Sequence, residues 1–180
     1  MRLLVISLFS LLFTSGAIAQ IRFNNQWSVM ASGGVMNGKG YHLSVGTEKI
    51  LNSPLHSLNA EFIFQSKGFI TDTYIPEEFN VHNYLLKLGY TYTLEQLVFE
   101  QLYIGFSAGF ISGYEAIKED FKTSALTEKD KFLLGGSISA KVEYSFIRKF
   151  SVFLEPEIMY VTSSFKKFTF APQLGIKYYL

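Results

Sequence analysis

Apolar positions along this chain alternate with polar or small ones, with a period of two. That period belongs to a strand with one apolar face. It recurs in eight runs, at about 26–36, 40–50, 56–67, 80–93, 100–113, 132–146, 150–162 and 168–180. In the fourth run Tyr84, Leu86, Leu88, Tyr90 and Tyr92 share one face, and Leu85, Lys87, Gly89 and Thr91 share the other. In the sixth, Ile138, Ala140, Val142, Tyr144 and Phe146 oppose Ser137, Ser139, Lys141, Glu143 and Ser145. No long segment between the runs carries a helical apolar stripe, and Glu95 to Glu100 has room for a single helical turn. Pro156 and Pro172 fall inside the last two runs, on the apolar side. A proline cannot donate to a ladder, which predicts bulges there or other strand limits.

Alternation alone does not say which face is inside. A soluble lipocalin-like barrel would turn the apolar face inward. Charged residues make up 17% of the chain and aromatic residues 17%, whereas a soluble domain carries about 25% charged residues. The polar face is therefore too lightly charged to cover a soluble surface, and its Gly and Ser suit a narrow lumen. Tyr41, Tyr84, Tyr92, Tyr144, Tyr160, Phe168 and Tyr178 recur near run ends, as an interfacial aromatic girdle would. The chain ends inside a run, with Gln173, Gly175, Tyr178 and Leu180 spaced like the C-terminal signal read by the outer-membrane barrel-assembly machinery. The expected fold is all-β: an eight-stranded antiparallel up-and-down transmembrane β-barrel in the bacterial outer membrane. Closure would leave no unpaired edge in hydrocarbon.

The first residues read as a cleaved signal peptide. Arg2 is the positive n-region, Leu3 to Phe13 is mainly apolar, and Gly16 to Ala19 supplies small residues for cleavage before Gln20. Residues 1–19 form the signal in this reading and residues 20–180 the barrel. Loss of Arg2 with the leader leaves the mature chain neutral, so nothing suggests direct contact with nucleic acid. Cysteine is absent, which excludes a disulfide frame, a thiol nucleophile and a lipid anchor on cysteine. With both chain ends periplasmic, the connections at about 51–55, 94–99 and 147–149 are the inner turns, and those at about 68–79 and 114–131 are the long outer loops.

The face assignment places Glu48, Glu61, Lys87, Lys141, Glu143, Glu155, Glu157 and Lys177 in the lumen. An eight-stranded barrel is just wide enough for side chains to fill. A buried ion network that plugs the barrel is favoured over a proton or ion path for that reason. His42, Ser44 and Glu48 share one strand face and form a conceivable hydrolytic set, but sharing a face is common by chance. His56 and His82 add no transition-metal spacing. No catalytic, metal or cofactor site is expected. The third outer loop mixes Glu115, Glu119, Asp120, Glu128 and Asp130 with Lys118, Lys122, Lys129 and Lys131, which favours a solvated loop over a calcium site. The second carries Phe69, Ile70, Tyr74, Ile75 and Phe79, either a partner surface or an extension of the barrel above the membrane.

The fifth run and its loop read Gly105-Phe-Ser-Ala-Gly-Phe-Ile-Ser-Gly-Tyr-Glu115. The sixth is approached by Leu126-Thr-Glu-Lys-Asp-Lys-Phe132 and continues Leu133-Leu-Gly-Gly-Ser137, with Glu143 further on. The end reads Phe170-Ala-Pro-Gln-Leu-Gly-Ile-Lys-Tyr-Tyr-Leu180. These segments resemble the TraO family of conjugal transfer proteins, found on conjugative transposons of Bacteroidetes. The resemblance implies a non-enzymatic outer-membrane component of a conjugative DNA-transfer apparatus. Its partners would be outer-membrane lipid, the barrel-assembly machinery and other conjugal transfer proteins. The other readings are a general outer-membrane barrel for adhesion or envelope integrity, and a lipid-modifying outer-membrane enzyme.

Overall fold

The computed structural model describes residues 22–37, 40–70, 78–94, 101–118, 130–147, 149–162, 164 and 167–180. The expected signal at 1–19, the turn at Glu95–Glu100, and Tyr74, Ile75, Glu119, Asp120, Lys122, Glu128 and Lys129 lie outside these residues. The strands are β1 (Trp27–Met36), β2 (Gly40–Ile50), β3 (His56–Ile70), β4 (Glu78–Thr93), β5 (Leu102–Lys118), β6 (Asp130–Ile147), β7 (Phe150–Val161) and β8 (Phe168–Tyr179). Each pairs antiparallel with its neighbour in sequence, and β8 pairs with β1, so the sheet closes. The fold is the eight-stranded transmembrane barrel that the alternation predicts. Partners followed around the sheet from Ser28 run through Glu48, Asn59, Gly89, Gly109, Ser137 and Met159 to Thr169. The circuit begins near the end that carries the termini and finishes at the opposite, loop end. Such shear is what tilts the strands of a small barrel by about 35–45°.

The faces are inverted relative to a soluble barrel. Leu174 is 66% exposed and Ile138 62%, while Lys87 and Lys177 are each 1% exposed. Two aromatic belts bound the apolar wall. At the loop end the Tyr41 and Phe64 rings lie 5.9 Å apart, Phe64 and Tyr84 5.3 Å, and Tyr160 and Phe168 4.8 Å. At the terminal end Phe150 and Tyr178 lie 4.8 Å apart and His56 packs on Tyr92 at 5.3 Å. Lys49 lies over Trp27 and Lys149 over Tyr178. From Tyr84 to Tyr92 along β4, at about 3.3 Å per residue and a tilt of about 40°, the belts stand roughly 20 Å apart. That is close to the apolar band of about 25 Å expected of a membrane barrel.

Two expectations need correction. No bulge marks the prolines: Glu155↔Gln173, Pro156↔Pro172 and Glu157↔Ala171 are consecutive pairs of β7 and β8. Two prolines cannot exchange N–H bonds, so they face each other at a non-hydrogen-bonded position. Each then turns its missing donor to its other neighbour. Pairing of β6 with β7 skips from Ser139↔Glu157 to Val142↔Leu154, and pairing of β1 with β8 ends at Gly34↔Gln173. The register does shift between Ser145 and Ile147, at the terminal end of β6. The second correction concerns the outer loops. β3 to β6 are longer than their apolar alternation, so Phe69, Ile70, Phe79, Glu115, Lys118, Asp130 and Lys131 belong to strands.

Candidate functional site

The lumen is the chemically distinctive part of the molecule. Its side chains come from the polar face of all eight strands, and they divide into two layers. Towards the loop end Met36, Ile63, Leu85, Ile111, Leu133, Met159, Val161 and Ala171 form a buried apolar layer. Below it lie the charges.

All eight charged residues assigned to the lumen are buried there. Near the terminal end Lys177 Nζ lies 2.6 Å from Glu48 Oε2 and 2.5 Å from Glu143 Oε2. The Ser151 hydroxyl donates to Glu143 at 2.7 Å, and the Tyr179 hydroxyl is a second donor to the same carboxylate. Higher up, Lys141 pairs with Glu155 at 3.1 Å, and Glu155 also accepts from Ser139 at 2.6 Å. Lys87 bridges Glu61 at 2.8 Å and Glu157 at 2.9 Å. Gln173 donates to Glu157 at 2.8 Å and accepts from Ser32 at 2.5 Å. Lys87 on β4 reaches Glu157 on β7 across the lumen, Lys177 on β8 reaches past its neighbours to Glu48 on β2 and Glu143 on β6, and Tyr179 also reaches Glu143, while the other bonds join adjacent strands. Removing an ion from water costs several kcal/mol, and close paired geometry offsets that cost.

Small residues make the space. A β-carbon at Gly175 would run into the ring of Phe153, and one at Gly89 into the Asn59 amide. Gly175, read from the sequence as part of an assembly signal, therefore also carries a packing role. Of the other residues in that set, Gln173 lies in the network, Tyr178 in the belt and Leu180 is exposed.

One member has no signal in the strand pattern. Arg22 precedes β1, yet its side chain enters the lumen and is buried. It donates to Glu48 at 2.9 Å and to Thr93 at 2.7 Å, lies 3.8 Å from Glu143, and sits 5.2 Å over the Tyr103 ring. Burial opposes its charge, but Glu143 and Glu48 hold the guanidinium protonated, above its ordinary range. It closes the terminal end of the lumen. A void beside Arg22, Tyr103 and Lys141 and another beside Gln65 and Glu115 each measure about 10 Å³, room for one water at most.

The conceivable hydrolytic set is not joined. Glu48 binds Arg22 and Lys177. Ser44 bonds Ser32 at 2.7 Å and reaches Glu61 at 3.5 Å, and the His42 ring meets Gln65 at 3.3 Å. His56 bonds the Tyr90 hydroxyl, and His82 stacks on Phe64. Among the described residues no three His, Asp or Glu side chains converge as a metal site. The arrangement can brace a closed tube and seal it. Glu115, read as a loop acid, points instead into the loop-end mouth and accepts from Ser164 at 2.7 Å.

The family described as conjugative transposon protein TraO matches residues 20–180. No curated protein matches the sequence. Among solved structures, Ail, the attachment invasion locus protein of Yersinia pestis, superposes with a TM-score of 0.58 at 11% identity, covering 88% of this chain and 100% of that one. The N-terminal β-barrel domain of Pseudomonas aeruginosa OprF gives 0.57 at 17% identity, covering 87% and 98%. Neisserial surface protein A gives 0.56 at 11% identity, covering 85% and 95%. At these identities the likeness is one of fold.

Proposed function

The chain belongs to the TraO family of conjugative transposon proteins, and from that premise we propose that it is a non-enzymatic β-barrel of the bacterial outer membrane serving a conjugative DNA-transfer apparatus. The family match carries the transfer role. The inverted faces and the two aromatic belts support the membrane, because an apolar wall of this height needs lipid around it. Residues 1–19 act as the export signal in this reading, and the C-terminal strand is offered to the barrel-assembly machinery. The lumen, filled among the described residues by paired charges, supports a structural role over conduction or catalysis. The barrel would hold its loop-end surface rigidly outside the cell for other conjugal transfer proteins. The neutral mature chain fits a component that does not itself grip DNA.

The test is a mating assay with a donor lacking this gene. Transfer of the conjugative element falls at least tenfold and returns when the full chain is supplied in trans. Undiminished transfer from the deletion donor refutes the role.

A further inference from the structure

Three small or flat side chains lower the apolar wall at mid-height. Ala108 lies between Phe106 and Phe110 on β5, Ala140 between Ile138 and Val142 on β6, and Pro156 between Leu154 and Ile158 on β7. The three are neighbours. Phe106↔Ala140 and Ala108↔Ile138 set the two alanines on a diagonal. Pro156 lies opposite Ala140, inside the step from Ser139↔Glu157 to Val142↔Leu154. Together they floor an open groove of about 560 Å³. Its sides face outward, with Ile138 62% exposed, Phe106 55% and Phe170 44%.

The groove crosses the wall obliquely. Tyr90↔Ala108, Ala108↔Ile138, Ile138↔Ile158 and Ile158↔Phe170 form a continuous row along it. Tyr90 is two residues from Tyr92 in the terminal-end belt, and Phe170 is two from Phe168 in the loop-end belt. Four strand spacings of about 4.8 Å make the row roughly 19 Å long. With strands tilted by about 40° it rises roughly 12 Å, most of one leaflet of a hydrocarbon core about 30 Å thick. At the loop end stands Lys167, exposed and next to Phe168. Its carbonyl accepts from Val161 N at 2.8 Å, which fixes the backbone there, and the Phe168 ring packs on Tyr160.

Shape and setting select the occupant. The gap is one side chain wide on each strand, too narrow for a helix of about 10–12 Å. An extended peptide would bring unpaired N–H and C=O groups into hydrocarbon. A run of methylenes meets neither obstacle. It gains nothing by leaving other lipid, so what holds it is contact with the groove sides. Lys167 adds a cation at the headgroup level, which matches a phosphate.

We propose that this groove holds one acyl chain of a phosphate-bearing lipid from the outer leaflet, with the phosphate at Lys167 and the chain over Ala108, Ala140 and Pro156. The inference goes beyond the transfer role and is independent of it. It rests on the membrane setting of the wall.

The test is native mass spectrometry of the protein extracted from membranes and exchanged into detergent micelles, with dipalmitoyl phosphatidic acid or, in parallel, dipalmitoylglycerol added. One phosphatidic acid is retained per barrel, and the phosphate-free lipid at least fivefold less. Ala108→Phe and Ala140→Phe fill the floor and each lowers retention at least fivefold. Val45→Phe, on the β2 wall away from the groove, leaves it unchanged. Lys167→Glu abolishes the preference for the phosphate. Heat-dependent gel mobility checks that each variant is folded. A folded barrel that retains no lipid, retains it equally after both alanine replacements, or loses it as readily with Val45→Phe overturns the groove. Graded uptake of many lipids without a one-to-one step shows an adventitious additive only and overturns it as well. Equal retention of the two lipids overturns the phosphate contact. None of these failures touches the membrane setting, because a barrel that folds in micelles without holding a lipid still has an apolar wall.

Discussion

Lys177 shows how much one residue does in this lumen. It is 1% exposed and holds both Glu48 and Glu143. Replacing it with methionine keeps the volume and leaves Arg22 as the one cation beside both Glu48 and Glu143. Losing one partner of a buried ion pair costs about 3–5 kcal/mol. Lys177→Met should therefore lower the unfolding free energy in lipid vesicles by about that amount, as read from denaturant titration. Adding Glu143→Gln should recover part of the loss, because it leaves one buried carboxylate, Glu48, for the one remaining cation, Arg22. The sequence exposed Lys177 and its fellows because each falls on the parity opposite the apolar wall of its strand. Arg22 left no such trace. It lies in coil, where no period assigns a side, and only the three-dimensional closure of the barrel brings it to Glu48.

Among the elements, β7 shows both the reach and the limit of reading by period. Its faces follow from Val152, Leu154, Ile158 and Tyr160 against Glu155, Glu157 and Met159. What Pro156 does there depends on hydrogen-bond phase, which alternation does not encode. The proline sits opposite Pro172 and leaves the Ala140 carbonyl without its ladder donor. Pro156→Val restores that N–H. A ladder bond is worth about 1 kcal/mol, partly offset by the freedom regained in the unfolded chain. The expected result is a higher unfolding midpoint and slower amide exchange along the central part of β6; a lower midpoint would contradict that hydrogen-bond phase. The overhanging parts of β3 to β6 were hidden for a related reason. Along the overhang charged and apolar residues fall on both parities, Lys67, Glu115 and Lys131 with Phe69 and Ile117 on one, and Glu78, Lys118 and Asp130 with Ile70 on the other. The contrast that betrays a strand fades, and Glu115 to Lys131 reads as loop.

At the scale of the whole molecule, one inversion organises everything else. The apolar wall and its belts need lipid, the lumen needs its charges paired, and the closed sheet lets the backbone satisfy itself between them. Absence of cysteine makes that inversion directly measurable. Single cysteines placed at Leu88 and Leu174 can carry a nitroxide spin label in barrels refolded into lipid vesicles. Collision rates with oxygen, which partitions into lipid, and with a water-soluble nickel complex then report what surrounds each site. Strong oxygen and negligible nickel broadening are expected at both positions. Strong nickel broadening at Leu88 and Leu174 would place those leucines in water and contradict the inverted barrel.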